Sequence, residues 1–190
     1  MEIPLFPLNA VLFPGGRLRL KVFEARYVDM TAGCLRSGKP FGVCLIRRGG
    51  EVGAPAEPAE VGTLAHIVTA DMRAAGIFEL EVEGGQRFVV EATRVQADRQ
   101  LLGRVTLKPD EPPEPLTEAY AACLRLLALV AEEYPDARLN PLRDEMPWVG
   151  FRLAEILPLR LPVRQALLEM NDSRMRLSLL LEFMRRQGLV

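Results

Sequence analysis

The chain has 190 residues, 49% of them hydrophobic, and its 24 Lys+Arg against 25 Asp+Glu leave a formal net charge of −1. That length accommodates one large domain or two small ones, with a core burying about 70% of the unfolded surface. The near-neutral balance excludes a whole-molecule field that draws nucleic acid or anionic lipid, and no apolar run reaches the ~18 residues of a membrane helix.

The first segment, Ile3 to Phe13, is apolar but interrupted by Pro4 and Pro7 and followed by Pro14, so no helix passes through it. It has no basic region leading an apolar core, so it reads as part of the fold and not as a leader. After the Pro14-Gly15-Gly16 turn, Arg17, Arg19 and Lys21 alternate with Leu18, Leu20 and Val22. This is the period of a strand with one buried face, the cationic face turned to water or a partner. Glu24 to Leu35 carries apolar side chains at Tyr27, Val28, Met30, Cys34 and Leu35, a short helix ended by Ser37-Gly38.

From Phe41 to Lys108 the pattern is β. Strands are predicted over Phe41–Ile46, Val61–Thr69, Ile77–Val82, Arg87–Ala92 and Leu101–Lys108. Gly84-Gly85 between the third and fourth predicts a hairpin turn, because both glycines accept positive φ. Such closely spaced strands imply a small barrel or rolled sheet. Phe6, Phe13, Phe23, Phe41, Phe78 and Phe88 all fall at core-compatible positions. Arg47 to Glu60, rich in Gly, Pro and Glu, reads as a long exposed loop, a form that is either mobile or functional.

Residues 109–115 carry four prolines in seven positions and end the β half. Residues 109–116 therefore form a semi-rigid linker between a β-rich subdomain, 1–108, and an α-helical subdomain, 117–190. Four helices are predicted in the second part: from Thr117 with Tyr120, Leu124, Leu127, Val130 and Ala131 at helical spacing; over Asp144–Leu157; over Pro162–Met170; and after Asp172 as cap, through Leu177, Leu180, Leu181 and Met184.

The ordered string from Ile3 to Tyr27, with Pro7, Pro14, Gly15, Phe23, Glu24 and Arg26, closely resembles the start of the Lon protease N-terminal domain. The helical half matches that family in order and size, and Ile156–Glu169 resembles its helix-turn-helix stretch. The chain is thus identified as a stand-alone member of the Lon N-terminal, substrate-binding domain family. The resemblance implies an α+β fold, a PUA-like β barrel with a short helix followed by a helical bundle. It implies a non-catalytic module of a cytoplasmic protein that recognises unfolded or flexible polypeptide, with a protease or chaperone as a further partner and a weak homodimer as a possible state. Neither membrane nor cofactor is expected.

Catalytic chemistry finds little support. Gly33 to Lys39 fits all but the last position of G-x-x-x-x-G-K-[ST], but Pro40 replaces the hydroxyl and the first glycine lies inside a helix. A Ser-Lys dyad needs a desolvated lysine beside a serine, and Lys21, Lys39 and Lys108 sit at or near strand ends or on an alternating strand. His66 is the only histidine, which excludes His-rich metal sites. Acidic pairs such as Glu79/Glu81 and Glu132/Glu133 read as solvated. Cys34, Cys44 and Cys123 lack Cys-x-x-Cys spacing and read as reduced, buried thiols. No catalytic or metal-ligating residue is assigned.

Three functional classes follow. The favoured one is polypeptide binding in an apolar groove where the two halves join, lined by Tyr27, Trp148 and Phe151, with the 47–60 loop as a rim. The alternative is an RNA-binding PUA-like barrel using Arg17, Arg19 and Lys21, although only 6% of residues are aromatic and available for base stacking. An enzyme, the third, would need a buried cleft where titratable groups converge. Pro7, Pro14, Gly15, Phe23, Glu24 and Arg26 are read as structural.

Overall fold

The computed structural model describes residues 1–74, 76–137, 139 and 141–190. In chain order the elements are β1 (Glu2–Leu8), β2 (Arg17–Val22), α1 (Ala25–Ser37), β3 (Phe41–Arg48), β4 (Glu57–Ala74), β5 (Ile77–Val95) and β6 (Leu101–Leu107). They are followed by α2 (Ala121–Glu133), α3 (Met146–Ile156), α4 (Leu161–Glu169) and α5 (Ser173–Arg186). The chain divides into two compact units, Met1–Asp110 and Glu111–Val190. The architecture is α+β, a rolled PUA-like sheet with a C-terminal helical part. No helix among the described residues is long and apolar enough to cross a membrane.

In the first unit the strand order is β2-β5-β4-β3-β1-β6, and an additional β5–β6 pairing closes the last five into a barrel. Among the described residues, β1–β3 is the parallel pairing and the others are antiparallel. Ile3 and Leu5 belong to one core cluster with Cys44, Phe88, Leu101 and Val105, whereas Phe6 and Leu8 pack with Tyr27, Met30 and Cys34 of α1. Burial on both faces explains why β1 reads as an unbroken apolar run and not as an alternation. Helix α1 ends at Gly38, which takes φ 66° and bonds its N–H to the Cys34 carbonyl. This is the glycine C-cap expected at Ser37-Gly38.

Three sequence expectations are corrected. First, Gly84-Gly85 is no hairpin turn. It lies inside the single strand β5, whose Phe78–Glu83 segment pairs with β2 and whose Phe88–Val95 segment pairs with β6. A register shift on β4 between Thr63 and Ala65 marks a bulge there. The glycine is needed for close approach, since a Cβ on Gly84 would stand 2.1 Å from the Phe13 carbonyl oxygen. Second, the long loop shrinks to residues 49–56, because β3 runs on to Arg48 and β4 begins at Glu57. Third, Phe23 is 56% exposed.

The second unit is helical. Helix α3 is buried nearly all round and carries Met146, Val149, Leu153 and Ala154 into the core, the pattern of a central helix. Proline lies at the first turn of both α3 and α4, where its missing N–H costs nothing. Asp172 caps α5 by accepting from the Met175 N–H at 2.9 Å. The proline-rich run enters this unit directly: Met146 N–H donates to the Glu114 carbonyl at 2.7 Å, and Leu116 N–H to that of Asp144 at 2.6 Å.

Candidate functional site

Strand β2 is the edge of its sheet, and its polar face meets β5 in register: Arg17 opposite Glu83, Arg19 opposite Glu81, Lys21 opposite Glu79. Arg17 bonds Glu81 at 3.2 Å and Glu83 at 2.5 Å. Glu81 is buried, which corrects the expectation of a solvated pair with Glu79. A cationic row facing a carboxylate row offers little attraction to a phosphate backbone, which speaks against the RNA reading. The arrangement resembles a charged edge that discourages strand pairing.

Within the N-terminal motif, Glu24 and Arg26 form a junction between the end of β2, α1 and the β5–β6 turn. Pro7 lies within β1 opposite Cys44. Pro14 precedes Gly15, which takes φ 70° and donates its N–H to the Gly84 carbonyl at 2.7 Å. The Glu24 carbonyl accepts from Tyr27 and Val28 at the start of α1, while its side chain makes no cap. The carboxylate instead bonds Arg26 Nη2 at 3.0 and 3.3 Å. Arg26 also donates through Nη1 to the Arg99 carbonyl at 3.2 Å and lies 4.6 Å from the Tyr27 ring centroid. Arg99 has φ 67°, a non-glycine in the left-handed region, and the Arg26 bond helps to hold that turn.

The sequence-based binding candidates separate. Tyr27 is a core side chain of the first unit, stacked on Phe6 with ring centroids 4.0 Å apart. Burial pushes its phenol above the usual value. Phe151, in the second unit, is buried beneath the Arg176 guanidinium, 4.1 Å from its ring. Trp148, three residues before it on α3, is half-buried. His66 is exposed on β4.

Each unit has a concavity of its own. In the first, a cleft of ≈ 610 Å³ is bounded by Arg26, Met30, Gly33 and Lys39 on and just after α1, by Ile3 and Pro4 of β1, and by Gln100 and Leu102. In the second, α4 and α5 form an apolar groove of ≈ 270 Å³ with Val163, Leu167, Met170, Leu179 and Phe183 in its walls. Val163 and Leu179 are exposed there. Neither concavity was found from the sequence. The groove had a signal, since Val163, Leu179 and Phe183 are apolar positions in excess of the core-facing stripes. Gln100 and Gly33 had none, because a turn-flanking amide and a helical glycine are unremarkable by spacing. Among the described residues no group of three or more His, Cys, Asp or Glu is placed to hold a metal.

The family model of the ATP-dependent protease La (LON) substrate-binding domain matches residues 2–186. Among curated proteins, the chain is 31% identical over 198 residues to "Lon protease 2" of Myxococcus xanthus, covering 97% of this chain and 24% of that one. It is 28% identical over 197 residues to "Lon protease" of Anaeromyxobacter dehalogenans (strain 2CP-C), covering 97% and 23%. The chain thus spans about a quarter of the length of these relatives. Among solved structures, the Lon N-terminal domain protein from Xanthomonas campestris superposes with a TM-score of 0.77 at 37% identity, over 96% of this chain and 98% of that one. The N terminal domain of Mycobacterium avium complex Lon protease gives a TM-score of 0.67 at 17% identity, over 96% and 97%, a likeness of fold alone.

Proposed function

From the premise that this chain belongs to the LON substrate-binding domain family, we propose that it is a non-catalytic module that binds unfolded or flexible polypeptide. The observation that carries the reading is the family match over residues 2–186. Its curated relatives are Lon proteases, and in that context polypeptide is held for another part of the machinery, or for a partner protease or chaperone, to act upon. A cytoplasmic location, in keeping with three free thiols, belongs to the same proposal.

Binding of this kind needs no reacting group. Removing apolar surface from water contributes about 25 cal/mol per Å², less the cost of ordering the bound segment. The groove between α4 and α5 supplies exposed apolar walls for it, with the Glu182–Arg186 pair at the rim. Trp148, the sole tryptophan, is the member of the original trio with side-chain surface left to offer.

The test is fluorescence anisotropy with one labelled protein in two forms, native and reduced-carboxymethylated. Saturable binding of the unfolded form at micromolar concentration, with at least tenfold weaker binding of the native form, supports the reading. Equal binding of both forms, or of neither, overturns it. Peptide cleavage by the purified chain would overturn the non-catalytic part.

A further inference from the structure

Helix α2 is apolar on nearly every side, with Arg125 as its one charged residue before Glu132. A helix of that kind is ordinarily buried. Here Cys123, Leu127 and Ala131 are buried, while Leu129 is 61% exposed. The open side of α2 forms one wall of a second concavity in the helical unit, ≈ 430 Å³, whose other wall is α5. Ala122, Leu126 and Leu129 follow one face of α2 at spacings of four and three, and Leu181 and Arg185 lie four apart on α5.

The end of α5 completes the groove. Gly188 takes φ 67° and donates its N–H to the Arg185 carbonyl at 3.1 Å, and Leu189 donates to that of Met184 at 2.9 Å. These two bonds form a Schellman motif, which turns the chain back and sets Leu189 among the lining residues.

Two arginines, Arg125 and Arg185, line the same groove, and among the described residues no carboxylate does. Their own helices offer them nothing. Arg125 has no acidic residue three or four positions away, and Glu182, three before Arg185, pairs with Arg186. Both arginines are exposed, so a bound molecule can reach them.

That combination decides between occupants. A second copy joined through a two-fold axis would set this patch on itself, guanidinium against guanidinium. An anionic membrane is held by clusters of about four to eight cations, and this groove has two. An apolar concavity carrying two arginines instead suits a ligand with apolar and acidic side chains on one face. An amphipathic helix is such a ligand, anchored at i, i+3 or i+4 and i+7. The two turns from Ala122 to Leu129 match about 10 Å of its length.

We propose that the α2–α5 groove docks an acidic amphipathic helix of a partner protein, with its apolar side chains on Leu126, Leu129 and Leu189 and its carboxylates on Arg125 and Arg185. The groove selects a helical element by its charge, which capture of unfolded chains does not require, so the two readings stand or fall separately.

The probes are three acetylated, amidated helical peptides of alanine and leucine, carrying glutamate, glutamine or lysine beside the leucine stripe. Each is titrated into the ¹⁵N-labelled chain. The glutamate peptide is expected to shift the Leu126, Leu129 and Leu189 amides and to bind about fivefold more tightly than the glutamine version, as two exposed ion pairs allow. Added salt should shrink that gap. Arg125→Glu/Arg185→Glu should reverse the preference, so that the lysine peptide binds better than the glutamate one. A merely misfolded variant cannot produce that gain. Leu129→Ala, which shortens an exposed side chain without loss of helix propensity, should keep the melting temperature and weaken the glutamate peptide about fivefold.

Equal affinity for the three peptides, binding of none, or a double variant that keeps the parent's preference overturns the proposal. So do shifts confined to residues 159–170, which place the peptide in the α4–α5 groove. Leu126 and Leu129 amides that shift with chain concentration alone would make this a homodimer face. Binding to vesicles of phosphatidylcholine and phosphatidylglycerol, but to no peptide, would make it a membrane contact. Either result overturns the proposal as well.

Discussion

The guanidinium of Arg176 on α5 and the carboxylate of Glu111 are joined by two hydrogen bonds, Nη1 to Oε2 at 3.1 Å and Nη2 to Oε1 at 2.5 Å. Arg176 is fully buried. Its Nε donates to the Leu167 carbonyl at 3.0 Å, and Nη2 also to that of Met170 at 2.6 Å. This bidentate pair ties the proline-rich run to the helices of the second unit.

Breaking it should be costly because it strands a buried charge. Glu111→Ala or Arg176→Met is expected to destabilise the second unit by about 3–5 kcal/mol in urea unfolding. The double variant Glu111→Leu/Arg176→Met should recover a good part of that loss, since neither charge is then left alone. Single variants that unfold at the parent's urea midpoint would show that the pair is not the clasp.

The two adjacent glycines of β5 should respond differently to alanine. At Gly84 a new Cβ meets the Phe13 carbonyl oxygen at 2.1 Å, a backbone atom that accepts from the Gly16 N–H at 2.9 Å. At Gly85 it meets the His66 ring at 2.7 Å, an exposed side chain that can swing away. Gly84→Ala is expected to cost about 3 kcal/mol and Gly85→Ala about 0.5 kcal/mol, by thermal or urea unfolding. Equal costs would place the close approach elsewhere.

Alkaline pH should weaken the fold through two thiols. Desolvation pushes Cys44 up to about 12 and Cys123 up to about 11, the latter opposed by Arg185. Both acids hold their protons in the folded state while the unfolded thiols release theirs from about pH 8.5. The folded state then binds more protons, so stability falls with rising pH. This contribution is fully present below about pH 8.5 and is lost as pH rises through 11 and 12. Melting temperatures measured from pH 7 to 11 should decline above pH 9, less steeply in Cys44→Ala. An identical slope in that variant would acquit Cys44.

Trp148→Ala should weaken capture of carboxymethylated protein by about tenfold while leaving the circular dichroism of the helices unchanged. Loss of the fold would make Trp148 a core residue. Unchanged affinity would remove it from the binding surface.

Legibility followed the range of the governing interaction. The Arg17–Lys21 alternation, the Gly38 C-cap, the proline opening α4 and the Asp172 cap each depend on neighbours within about one helical turn, and each was visible as a pattern. Phe23 was misread because aromatic character alone cannot tell a core position from the exposed end of an edge strand. The candidate site was less legible still: of Tyr27, Trp148 and Phe151, two are core side chains. The cleft of the first unit is lined by Arg26, Gln100 and Gly33, of which only Arg26 stood in the recognised motif.

What local pattern specified was therefore the kinds of element, their order and the family that shares them. Pairing across distance settled the rest. Gly84-Gly85 looks like a turn in isolation and becomes a bulge because β5 must serve β2 at one end and β6 at the other. Gln100 matters because it reaches Leu5, 95 positions away, and Arg176 because it meets Glu111, 65 positions away. Such contacts form when the sheet closes and the helices pack, so their energy depends on which surfaces come together. No window of neighbouring residues carries that information.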